Sequence, residues 1–167
     1  MNSSYLILKV LHILSATVLF GTGLGTAFSM WRANMSGDVR VIAGVARSVV
    51  LADWCFTTPA IIIQPLTGVM LATSAGFPLR SPWIVASIVL YCLAGACWLP
   101  VVWLQQQMYR EARGAVLANR RISDRYRRHF RLWFALGWPA FLSVVAIFCN
   151  HGIQADTWPL DRVSRLK

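Results

Sequence analysis

Tyr5–Met30 reads YLILKVLHILSATVLFGTGLGTAFSM. Its only charge is Lys9, near the start, and it holds one imidazole, His12. A helix needs about 20 consecutive apolar residues to cross a bilayer core. Val10–Trp31 has no Asp, Glu, Lys or Arg, and so passes that test without interruption. The same holds for Trp54–Leu79, Ser81–Tyr109 and Leu132–Ala155. The fold this predicts is all-α: a polytopic membrane protein built as an antiparallel four-transmembrane-helix bundle. The spans are expected at about residues 5–31, 53–75, 82–108 and 131–153, in one integral membrane domain covering 1–167. The N-terminal stretch lacks a basic leader and is too long for the apolar part of a signal peptide, so it reads as a retained span. Asn2, Ser3 and Ser4 are available to cap it.

The whole composition agrees. Of 167 residues, 57% are hydrophobic and 13% charged, against roughly 25% charged in soluble domains. The net charge of +10 reads as topology, and nucleic acid is not an expected partner. Arg32, Arg40 and Arg47 sit in the first loop. Arg110, Arg113, Arg120, Arg121, Arg125, Arg127, Arg128 and Arg131 crowd the third, and Arg80 stands alone in the second. Lys and Arg mark the cytoplasmic side. A multi-pass membrane protein is expected, with arginine-rich loops in the cytoplasm and both termini outside. The tail residues Arg162, Arg165 and Lys167 pull mildly the other way. The arginine-rich run suits the anionic leaflet, at about 1 kcal/mol per residue, or an acidic partner.

Several local readings follow. Gly21, Gly25 and Ser29 recur at intervals of four, the spacing that lets helix backbones approach closely. They predict a packed neighbour, or a homodimer face. Ser36–Val50 mixes Val39, Val41, Ile42 and Val45 with charges and reads as a short helix at the headgroups. Asp53, at the entrance of span two, is expected to cap that helix or to meet an arginine. Pro59 and Pro65 each remove a backbone donor. The carbonyls they free must find partners within the protein, which turns span two toward the bundle interior. Gln64, Thr57, Thr58 and Thr67 are candidates for bonds between helices. The third span is expected to continue as a charged helix to about Asn119. Cys55, Cys92, Cys97 and Cys149 match no metal-binding spacing and read as small buried hydrophobes. Trp83, Trp103, Trp133, Trp138 and Trp158 fall near the expected interfaces.

Depth assembles the candidate site. At 1.5 Å per residue, His12 lies about two turns below the outer face. Met70 is in the outer third of span two, and His151 is at the outer end of span four. The three share one layer, and the helical period sets Tyr5, Lys9, Ser15, Ala16 and Leu19 near the His12 face. Imidazole and thioether are ligands for haem iron or copper. An intramembrane histidine also serves as structural glue, bonded to a carbonyl or to Gln64. His129, among arginines, reads as a surface residue.

The segments Tyr5–Leu14, Gln64-Pro65-Leu66-Thr67-Gly68, Leu99-Pro100-Val101-Val102-Trp103 and Gly137-Trp138-Pro139-Ala140-Phe141 resemble a bacterial family of predicted four-span integral membrane proteins of unknown function. More distantly, the chain is similar to HemJ-type protoporphyrinogen oxidases and to copper-resistance D membrane proteins. Lys9 and His12 fit the Lys-x-x-His of the HemJ type, and Pro59, Ala60 and Gly68 its second-span pattern. This resemblance implies haem b with His12 as an axial ligand, His151 or Met70 as a second, and Lys9 beside a propionate. The chain departs where the HemJ type has a third-span lysine (here Ile84, Val85 and Ala86) and an Asn-Glu (here Leu136 and Gly137). The resemblance therefore carries a haem site further than the oxidase reaction. The expectation is a haem-b redox protein that meets a quinone or other electron acceptor. Two alternatives stay open: a copper-handling or transport protein using His12, Met70 and His151, and a non-catalytic assembly subunit.

Overall fold

A computed structural model describes the backbone of residues 3–164 and the side chains of residues 3–152. Expectations placed on Asn2, Trp158, Arg162, Arg165 and Lys167 lie outside the described side chains. The described residues are all-helical: α1 (Ser3–Ser36), α2 (Val39–Ala52), α3 (Thr58–Ser74), α4 (Pro82–Leu117) and α5 (Asp124–Ser164). A π turn, Asp53–Thr57, joins α2 to α3, so Val39–Ser74 is one long helix. Four helices are long and apolar enough to cross a membrane, and they form a four-helix membrane bundle.

The turns explain the hairpins. Gly37 takes φ +68° and ends α1, and Asp38 then caps α2 by accepting from the Arg40 amide at 2.8 Å. Gly76, at φ +75°, closes α3. The Phe77 amide reaches the Ala72 carbonyl and the Gly76 amide the Thr73 carbonyl, the paired bonds that satisfy a helix end. Pro82 opens α4, where its missing N–H has no helical partner to lose. The left-handed Asn119 closes that helix as glycine does elsewhere.

Packing is concentrated at the arginine-rich end. Met30, Ala33, Ile42, Ala46, Val49, Val101, Leu104, Met108, Ala112, Tyr126 and Trp133 form the hydrophobic core there. Ile42, Ala46 and Val49 repeat at helical spacing and bury one face of α2. This corrects the headgroup reading of Ser36–Val50, because α2 stands within the bundle and runs on into span two. Trp133 belongs to the core and not to an interface. His129 is also corrected: it is buried, with Nδ1 3.1 Å from Glu111 Oε1 and its ring against Trp103. Arg125 reaches the same carboxylate at 3.1 Å, so this end carries a polar pin between α4 and α5.

Toward the other end the helices separate into two pairs. α1 packs on α3 and α4 on α5, whereas α1 meets α5 sparsely and α3 barely touches α4. Gly21, Gly25 and Ser29 face outward, and among the described residues nothing would lie within 4 Å of a Cβ at Gly21 or Gly25, so their predicted neighbour is not among those residues. Cys55, Cys92 and Cys149 are exposed and Cys97 half-buried. A membrane-facing thiol needs no buried site, since lipid tails are as apolar as a core.

Candidate functional site

His12 is held from α3. Its Nδ1 lies 2.9 Å from Thr67 Oγ1. The Thr67 hydroxyl already donates its proton to the Ile63 carbonyl at 2.7 Å, so it must accept from His12 Nδ1–H. The lone pair of His12 is therefore on Nε2. The Gln64 amide reaches that atom at 3.3 Å, long for a hydrogen bond. Ser15 donates to Gln64 Oε1 and also lies 3.0 Å from the His12 carbonyl. The predicted role of Gln64 and Thr67 in bonding across to another helix is what these contacts do. Gly68 completes the pocket, because a Cβ there would stand 3.1 Å from His12 Cε1. Thr57 and Thr58 instead bond within their own helix, to the Asp53 side chain and carbonyl.

His151 comes to the same layer from α5. Its ring centre is 6.5 Å from that of His12 and 5.7 Å from Trp83. His151 Nδ1 donates to the Ile147 carbonyl at 2.8 Å, which leaves its lone pair on Nε2 as well. Asn150 anchors this turn by donating to the Trp83 carbonyl and to Ser87 Oγ, at 2.8 and 2.9 Å. Both histidines thus keep the lone pair on Nε2 with Nδ1 fixed by an oxygen, the arrangement that orients metal-ligating imidazoles; on His12 the Gln64 amide occupies that lone pair. Met70, on α3, is half exposed. Lys9 is exposed one turn from His12. Among the described residues no group of three or more His, Cys, Asp or Glu could hold a metal ion.

A second feature was not anticipated. A cavity of about 300 Å³ lies between the helix pairs, lined by residues that include Leu19, Gly23, Ile61, Gly95, Trp98 and Gly137. It contains neither His12 nor His151. Asp53, Thr57 and Gln105 also line it. Because α2 continues into α3, Asp53 has no helix start to cap and forms no ion pair with a described arginine. It is buried at 5% exposure and accepts from Thr57 Oγ1 at 2.9 Å. The Gln105 side chain, 4% exposed, lies against the Asp53 carboxyl. Among the described residues Asp53 Oδ2, Gln105 Oε1 and the indole N–H of Trp133, which also lines the cavity, have no hydrogen-bond partner in good geometry. Tyr91 is a further lining residue. Pro65 has no N–H for the Ile61 carbonyl four residues back, and the Tyr91 hydroxyl on α4 donates to that carbonyl instead. The sequence signal for Tyr91 was therefore present, since Pro65 requires a donor from another helix.

No curated protein and no solved structure matches the chain. The family comparison matches residues 6–150, from the start of α1 to Asn150 in the histidine layer. The chain belongs to the DUF2269 family of predicted integral membrane proteins.

Proposed function

We propose that this membrane protein binds haem b between His12 and His151 and serves as a redox carrier. The observation that carries the reading is the shared state of the two imidazoles: one layer, ring centres 6.5 Å apart, and both lone pairs on Nε2. Two rings at this separation suit ligation of one ion at about 2 Å from each nitrogen. Ligand number favours haem over copper. A bare ion needs three or four protein donors, whereas a porphyrin brings four of its own and asks the protein for one or two axial ligands. Bound haem supplies one-electron chemistry. The protein's part is to orient His12 through Thr67 and Gly68, to orient His151 through Ile147, and to keep Trp83 against the second ring. Lys9, exposed one turn from His12, would meet a propionate. The arginine bias sets the opposite end in the cytoplasm, in the bacterial inner membrane that the HemJ resemblance implies.

The test is to purify the protein in mild detergent after expression with ample haem precursor, then to quantify haem b and copper. Haem in proportion to protein is the expected result. Copper without haem would move the assignment to the copper-handling reading. Neither, with a co-purifying membrane protein, would make the chain an assembly subunit.

A further inference from the structure

We infer that the cavity between the helix pairs binds a membrane-soluble molecule with an apolar body and a polar head that donates hydrogen bonds. Asp53 and Gln105 would receive the head. Three observations converge. The cavity exists because side chains are missing at one level of three helices: a Cβ at Gly23, Gly95 or Gly137 would meet nothing within 4 Å. Its walls are otherwise apolar, with Leu19, Phe20 and Trp98 among them. At its arginine-rich end Asp53 and Gln105 lie side by side, and among the described residues Asp53 Oδ2 and Gln105 Oε1 have no partner in good geometry. Buried polar groups are costly to leave unmatched, and the unmatched indole N–H of Trp133 lines the same cavity as a donor.

The rest follows from chemistry. Two acceptors favour a head that donates, so a hydroxyl or ammonium head fits, whereas an ionised carboxylate or phosphate head brings only acceptors to Asp53 and Gln105. Access is from the side. The seam between α1 and α5 is thinly packed, and Leu24, Phe134 and Trp138, which line the cavity, are each exposed by 41% or more. A molecule dissolved in the bilayer reaches the cavity there without crossing water.

The experiment uses the full chain in lipid nanodiscs. Trp98, Trp133 and Trp138 line the cavity, and a bromine-bearing ligand will quench them. Three probes share a brominated decyl body and carry a phenol, an ammonium or a carboxylate head. Saturable quenching by the phenol or the ammonium, with only linear quenching by the carboxylate, is expected. Whichever of the two saturates identifies the head as hydroxyl or ammonium. Gly95→Leu and Gly23→Leu fill the cavity from two helices and should abolish saturation. Gln105→Met should weaken binding by about tenfold, as loss of one hydrogen bond to a buried group does. Linear quenching by all three probes overturns the inference, as does saturation that survives both leucine variants. Since the histidines do not line this cavity, a haem-free protein leaves the inference standing, and an empty cavity leaves the haem reading standing.

Discussion

The two halves of the bundle solve the same problem with different materials. At the arginine-rich end, Met30, Met108, Ala46 and Ala112 are sealed, and α1, α2, α4 and α5 all contribute to one hydrophobic core. In the other half the buried groups include Ser15, Thr67 and Ser143; polar bonds tie α1 to α3 and α4 to α5, and Tyr91 reaches Ile61 between the pairs. The first half carries the arginines and the charged helix ends, and burying apolar surface from water is favourable there. The second lies among lipid tails, which give no such reward, so close packing and hydrogen bonds must hold it. Stability is placed at one end, and the other is left free for a site.

The comparison can be broken most severely in the core. Met108→Ala should lose about 2–5 kcal/mol, read as a large fall in the thermal midpoint in detergent. A loss below about 1 kcal/mol would deny that the core is there. Ala112→Leu, which adds bulk at a fully buried position, should cost about 1–3 kcal/mol. Effects in the open half are expected to be smaller. Tyr91→Phe strands the Ile61 carbonyl and should cost about 1–2 kcal/mol. In a Pro65→Ala background that carbonyl regains its helical donor, so the same change should cost markedly less; equal costs in both backgrounds would remove the link between Pro65 and Tyr91. Gln64→Leu, which breaks the Ser15 and His12 ties, should lose about 0.6–1.7 kcal/mol. Gly21→Leu, with open space around it, should stay within about 0.5 kcal/mol. A large destabilisation there, matched by a change in oligomeric size, would show that a second copy covers that face.

The four spans were legible because a charge-free run of that length has few other uses. The histidine layer was legible for a related reason, since depth along an antiparallel helix follows from counting residues. Azimuth was harder. Thr67 and Gly68 contact His12, whereas Met70 at a similar depth is half exposed, and counting residues does not say which way a side chain turns. His129 was misread because its neighbours in sequence are arginines, whereas its neighbours in space are Glu111 and Trp103. Asp53 was misread because the π turn conceals a continuous helix: Pro59 follows it at once and looks like a start. The cavity was invisible because it depends on small residues of three helices meeting at one level, which no single stretch of sequence displays.

The central claim is that His12 and His151 hold one haem. The most direct measurement is the visible spectrum of the purified protein, oxidised and dithionite-reduced, beside His12→Ala and His151→Ala. A Soret band that shifts on reduction in the wild type, is lost in His12→Ala and is altered in His151→Ala is the predicted result. A wild-type protein with no Soret band after haem-replete expression, or a band unchanged in both variants, would contradict it.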